Sequence, residues 1–111
     1  MLDAMKSNGL ADDTLIVYTS DHGEQVGEHG LWWKQTFYEH SIKVPAIFAW
    51  AGATDAEQRR SLPPGSRCDR ITSTLDISAT LLDALNAPPL PSSPGKSFLS
   101  AFPMFVPSPS W

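Results

Sequence analysis

The sequence predicts an α/β fold, a sheet covered by helices. Three stretches predict it: two short apolar runs of strand length and one capped run with helical spacing. Along the chain, Leu2, Met5 and Leu10 with polar residues between them suggest the last turns of an amphipathic helix, and Gly9 stands where helices commonly stop in a left-handed conformation. A loop through Ala11-Asp12-Asp13 follows. Thr14-Leu15-Ile16-Val17-Tyr18-Thr19 is β-branched and aromatic with little alternation of polarity, the pattern of a strand buried on both faces. Such strands belong mostly to parallel sheets, where catalytic groups gather just past the C-terminal strand ends.

Val44-Pro45-Ala46-Ile47-Phe48-Ala49-Trp50 reads as a second buried strand, with Pro45 near its start, where a missing N–H is tolerated. A polar connection runs from Gly52 to Gly65. Ser73 and Asp76 are spaced as a capping box, and Leu75, Ala79, Leu82 and Leu85 recur at helical spacing, widened by Leu81. This predicts a helix of about three turns packed on the sheet. From Pro88 onward prolines rule out a long helix or central strand, leaving Ser97-Phe98-Leu99-Ser100-Ala101-Phe102 as a short packed turn. The expected division is residues 1–102 as part of a catalytic domain and 103–111 as an irregular tail.

With 111 residues there is room for one modest domain. A net charge of -4 gives no long-range attraction for a polyanion, so nucleic acid is not expected as a partner. The arginines fall in two small pairs, Arg59-Arg60 and Arg67 with Arg70, and read as solvated surface charge. No apolar run approaches the roughly 20 residues that cross a bilayer, so no membrane span is expected. Residues 1–20 also lack the basic start and apolar core of a secretory signal. Cys68, the only cysteine, has no internal disulfide partner.

The chemistry concentrates between residues 20 and 41, which hold all three histidines. Asp21 and His22 follow a strand and precede a glycine, so a carboxylate oxygen and an imidazole nitrogen stand together at the sheet edge. That donor pair suits a hard or borderline divalent cation such as Ca²⁺, Mg²⁺, Mn²⁺ or Zn²⁺. Two ligands are half a site, and an isolated Asp-His pair more often caps a turn and packs. Lys34 lies in the aromatic stretch Gly30-Leu31-Trp32-Trp33-Lys34-Gln35-Thr36-Phe37-Tyr38, where an ammonium can neutralise an anionic substrate or a leaving oxygen. His29, His40, Glu24, Glu28 and Glu39 fit as ligands, proton carriers or ordinary loop residues, and spacing does not rank them. His22-Gly23-Glu24 supplies the H-x-E of a zinc deaminase without the P-C-x-x-C that should follow, and neither H-E-x-x-H nor G-x-S-x-G occurs.

The segment from Thr14 through Ser20-Asp21-His22-Gly23-Glu24 to Lys34 closely resembles the type I sulfatases of the alkaline phosphatase superfamily, nearest to choline-sulfatase-like and phosphonate monoester hydrolase-like members. Lys43-Val44-Pro45-Ala46-Ile47 resembles the family's next strand. Thr74-Leu75-Asp76-Ile77-Ser78-Ala79-Thr80-Leu81-Leu82 resembles its D-x-x-x-T-L-L helix, and Gly95-Lys96-Ser97-Phe98-Leu99 its G-x-S-L segment. The resemblance implies the C-terminal part of an alkaline-phosphatase-like sheet covered by helices, incomplete as a domain. It implies Asp21 and His22 as ligands of a divalent metal (Ca, Mg or Mn) and Lys34 as a contact to the ester near the scissile oxygen.

The substrate implied is a small anionic sulfate ester, with a phosphate or phosphonate ester on the same scaffold as the alternative. The family attacks with a formylglycine made from a C/S-x-P/A-x-R segment. Cys68 sits instead in Arg67-Cys68-Asp69-Arg70 and follows the metal pair, so the nucleophile is expected in an N-terminal part and Cys68 reads as structural or incidental. The isolated chain is expected to be inactive, and a non-catalytic truncated product is the reading from outside the enzymes.

Overall fold

The computed structural model describes residues 1–51, 62 and 65–100. Most of the expected polar connection, the Arg59-Arg60 pair and the expected boundary after residue 102 lie outside the described residues. The described chain mixes helices with short strands, as the sequence predicts. Its contacts group into two units, Met1–Ile16 with Ala49–Trp111, and Val17–Phe48.

In the first unit, helix α1 (Leu2–Ser7) ends as its residues dictate. Gly9 adopts φ 68°. The N–H of Gly9 donates to Lys6 O at 3.2 Å and that of Leu10 to Met5 O at 2.9 Å, the double bond of a left-handed helix stop. Helix α3 (Thr74–Ala84) starts with the expected capping box: Ser73 N–H donates to Asp76 Oδ2 at 2.8 Å while the Ser73 side chain accepts from the Asp76 N–H. It ends like α1, with Asn86 at φ 52° in place of glycine.

The apolar stripe of α3 is only partly where leucine spacing put it: Ala79, Leu81 and Leu82 are half-buried, and its two ends are not. Leu75 and Leu85 are 50% and 66% exposed, whereas Ile77 and Thr80 are buried. The reason is the segment that follows, which docks on the Thr80 side. Thr80 Oγ1 donates to Asp76 O at 2.7 Å and accepts the Phe98 N–H at 3.1 Å, so its burial leaves no polar atom unmet. Lys96 N–H donates to Asp76 Oδ1 at 2.8 Å and Ser97 Oγ to Asp83 Oδ2 at 2.5 Å. A Cβ on Gly95 would stand 2.3 Å from Leu75 O, so only glycine passes there. Phe98 is buried, in keeping with the predicted packed turn.

Strand β1 (Leu15–Thr19) pairs with β4 (Ala46–Trp50). The Ala51 N–H donates to Thr14 O at 3.0 Å, which sets the end of β4 beside the start of β1 and makes the pair antiparallel rather than parallel. Neither strand is buried on both faces as expected. Leu15, Ile16 and Val17 are half-buried while Tyr18 is 62% exposed, and in β4 half-buried Phe48 and Trp50 alternate with exposed Ile47 and Ala49. Each strand has only the other as a hydrogen-bonded neighbour among the described residues, and burial on two faces needs more cover than that.

In the second unit, β2 (Gln25–Val26) and β3 (Trp32–Trp33) form an antiparallel hairpin with Gln25 opposite Trp33 and Val26 opposite Trp32. Gly27 at φ 111° opens the turn and its N–H donates to Leu31 O at 3.0 Å. The short helix α2 (Glu39–Ile42) follows.

Asp76 serves two backbone donors. The Lys96 N–H first and the Ser73 N–H second hold its carboxyl below the usual carboxylate range. A lowered native pKa contributes stability above the unfolded value, about pH 4, which is lost as pH falls through the native value. Urea denaturation should therefore find the 73–98 region weakened by acid below about pH 4. Asp76→Asn should flatten that dependence, and Ser73→Ala should cost about 1 kcal/mol at neutral pH.

Candidate active site

The loop after β1 folds tightly on itself. Ser20 Oγ donates to His22 O at 2.8 Å and the His22 N–H donates to Asp21 Oδ1 at 3.0 Å, so the Asp21 carboxylate is turned by the backbone that follows it. Gly23 then passes against the backbone of α2. Its N–H donates to Ser41 O at 2.8 Å, and a Cβ would stand 1.9 Å from His40 O. No side chain fits at residue 23, which explains the glycine after the Asp-His pair.

The His22 ring is gripped from both sides. Nδ1 lies 2.7 Å from Gly23 O, an atom that only accepts, so Nδ1 carries the proton. Nε2 lies 2.6 Å from Lys34 Nζ, an atom that only donates, so Nε2 offers its lone pair. The two contacts specify the same neutral tautomer. Asp21 Oδ2 stands 3.4 Å from Nε2, too far for the ring's principal hydrogen bond and close enough to face the same space. Burial raises the Asp21 carboxyl pKa, but the neighbouring His22 imidazole, the N–H groups of Asp21 and His22 and the ammonium of Lys34 outweigh it and hold it below the usual range.

Asp21, His22 and Lys34, expected from the sequence to act together, thus stand within one unit with His22 in the middle. A cleft of about 480 Å³ is lined by His22, Glu24, Trp33, Lys34 and Gln35. Trp33 sits at φ 76°, a left-handed conformation rare for a bulky residue, and is 73% exposed at the cleft wall.

The residues that spacing did not rank now separate. Glu24 lines the cleft. Glu28 Oε2 accepts the Val26 N–H at 2.8 Å, a bond that lowers its pKa and commits it to the hairpin turn. His29 stacks on Tyr38 with ring centroids 4.0 Å apart. His40 supplies its carbonyl to the approach of Gly23. Glu39 makes a surface ion pair with Lys43 at 3.6 Å. Among the described residues no three His, Cys, Asp or Glu side chains gather around one point, so Asp21 and His22 are a two-donor set.

Sequence reasoning missed Gln25. It is fully buried in the hairpin and donates through Nε2 to Thr36 Oγ1 at 3.1 Å and Ser41 Oγ at 3.3 Å. Its only sequence signal is a polar residue opening an aromatic-rich hairpin, which reads equally as surface.

The family model described as Sulfatase matches residues 1–87. The choline-sulfatase of Rhizobium meliloti (strain 1021) is 39% identical over 83 residues, covering 75% of this chain and 14% of that protein. The crystal structure of the phosphonate monoester hydrolase of Agrobacterium radiobacter superposes with a TM-score of 0.78 at 31% identity, covering 98% of this chain and 20% of that one. A structure described as bound to its substrate, D-glucosamine-2-N,6-O-disulfate, superposes with a TM-score of 0.75 at 30% identity, covering 91% of this chain and 19% of that one. The chain spans about a seventh of the length of the first relative and about a fifth of the two solved ones.

The approach at Gly23 makes a direct prediction. Gly23→Ala drives a methyl into backbone atoms that cannot step aside cheaply, and should destabilise by about 1–3 kcal/mol or more. Urea denaturation followed by tryptophan fluorescence measures this. A Gly23→Ala variant as stable as the parent would mean that the loop does not lie against α2.

Proposed function

Since this chain belongs to the sulfatase family, we propose that it forms one wall of a metal-dependent site hydrolysing small anionic esters, in the first instance sulfate esters. Asp21 and His22 are the metal ligands and Lys34 is the catalytic cation. The observation that carries this is that His22 Nε2, on the cleft wall, stands 2.6 Å from Lys34 Nζ and 3.4 Å from Asp21 Oδ2.

The donor chemistry fits a divalent cation. A carboxylate oxygen and an imidazole nitrogen, each about 2.0–2.4 Å from one ion, stand roughly 3–3.5 Å apart, and these two are 3.4 Å apart. The Nδ1–H bond to Gly23 O fixes the tautomer that leaves Nε2 unprotonated, the usual outer support of a metal-binding histidine. When bound, the cation supplies positive charge to the ester oxygens. Lys34 presents Nζ to the same oxygens and offsets the negative charge that grows as the ester bond breaks. Trp33, beside Lys34 on the cleft wall, gives the alcohol part of the ester an apolar surface.

Formylglycine does not fit the residues of this chain. Half-buried Cys68 has Arg70, not Pro or Ala, two positions later, and no step is derived through it. The second reading is a phosphonate or phosphate ester as substrate, favoured by the 0.78 TM-score to a phosphonate monoester hydrolase.

Mn²⁺ titrated into the chain should broaden the NMR ring signals of His22 well before those of His29 and His40, and Asp21→Ala should remove that order. Uniform broadening of all three rings would sink the ligand assignment. Joined to a nucleophile-bearing sulfatase segment, Lys34→Ala should lower kcat for an aryl sulfate by about 10²–10³-fold. Unchanged kcat would take Lys34 out of the site, and faster turnover of a phenyl phosphonate than of the sulfate would select the second reading.

A further inference from the structure

We propose that Gln25, Thr36 and Ser41 form a positioning cluster that sets where Lys34 stands against His22; this rests on the reading of those two residues as parts of the site. The three side chains close a triangle. Gln25 Nε2 donates to Thr36 Oγ1 at 3.1 Å and to Ser41 Oγ at 3.3 Å, and the two hydroxyls lie 2.8 Å from each other.

Each corner belongs to a different stretch that the site needs. Gln25 stands opposite Trp33 in the hairpin ladder, so it fixes the register at which Lys34 leaves β3. Thr36 closes the turn after Lys34, its N–H donating to Lys34 O at 2.8 Å. Ser41 accepts the Gly23 N–H on its carbonyl at 2.8 Å, and Gly23 O in turn accepts the proton on His22 Nδ1. Ser41 thus ties the cluster to the backbone that orients the imidazole, and Thr36 ties it to the backbone that carries the ammonium. His22 and Lys34 are twelve positions apart in sequence, and among the described residues this cluster is the side-chain bridge between their two supports.

The choice of residue argues for positioning over packing. Gln25 and Ser41 are 0% and 3% exposed, and Gln25 Oε1 has no hydrogen-bond partner. A buried acceptor left unmet carries the desolvation cost of its oxygen, and a leucine or methionine would fill the space without that cost. What an apolar side chain lacks is direction. The amide fixes both hydroxyls at set distances, which dispersion contacts do not.

The test reads the geometry and needs neither metal nor substrate. In the parent chain, NMR should show a cross-peak between the Lys34 side chain and the His22 ring protons beside Nε2. Thr36→Val and Gln25→Met should lose that cross-peak while keeping the cross-strand peak between Val26 and Trp32, and Thr36→Ser should retain both. Persistence of the Lys34–His22 peak in Thr36→Val and Gln25→Met would overturn the proposal. So would its loss in Thr36→Ser, or loss of the Val26–Trp32 peak in both apolar variants, which would make the cluster a support of the fold itself. If the peaks behave as expected but Mn²⁺ does not select His22, the positioning role stands and the metal reading alone fails.

Discussion

The passage of Gly23 against the backbone of α2 is the contact on which the rest of the site depends. With His40 O only 1.9 Å from where a Cβ would be, the loop after β1 is pressed onto α2 at a point where only hydrogen fits. The bond from Gly23 N–H to Ser41 O holds it there, and the opposite side of the same residue, its carbonyl, takes the proton of His22 Nδ1. One glycine thereby converts a backbone approach into a choice of tautomer. Because Nδ1 is committed, Nε2 turns its lone pair toward Lys34, with Asp21 Oδ2 3.4 Å away.

Much of this was legible in the sequence, for physical reasons that can be named. The helix ends were readable because their signals are local: Gly9 relieves a left-handed stop, and Ser73 with Asp76 satisfies backbone donors three residues apart. The position of Asp21 and His22 just past a strand end was readable because a β-branched run ends there in a polar turn. Strand pairing was not, since β1 and β4 meet across a separation that no local pattern encodes, and their apolar runs fit a parallel or an antiparallel neighbour equally. Leucine spacing failed at the two ends of α3 for a related reason. Thr80 is buried because Asp76 O and a distant N–H, that of Phe98, satisfy its hydroxyl, and hydropathy alone ranks it below the leucines that remain exposed.

Gln25 shows the same limit in sharper form. Its polarity predicts solvent, yet it is buried because two hydroxyls, 11 and 16 positions away, receive its amide. A buried polar cluster becomes visible only when the fold has brought its members together, and binary patterning carries no record of it. The residues that spacing could not rank separated for the opposite reason. Glu28, His29 and Glu39 are each engaged by a partner outside the cleft lining, whereas Glu24 lines the cleft with His22 and Lys34.

The charge in that cleft bears on the proposed chemistry. Asp21 and Glu24 place two carboxylates near it against the single ammonium of Lys34, since the His22 tautomer is neutral. Left so, the wall repels an anionic ester at distances well inside the 8–10 Å over which salt screens. Lys34 is also engaged with Nε2, so its charge is partly directed at the wall itself. On the proposed reading, a divalent cation held by Asp21 and His22 would reverse both conditions, since its charge would outweigh the net negative one left by Asp21, Glu24 and Lys34 and it would give Nε2 another electron-pair acceptor. Lys34 would then be free to face the ester. In this reading, metal uptake and anion binding are coupled through one imidazole nitrogen, and the ammonium that holds the ring before the cation arrives is the group that meets the substrate afterwards.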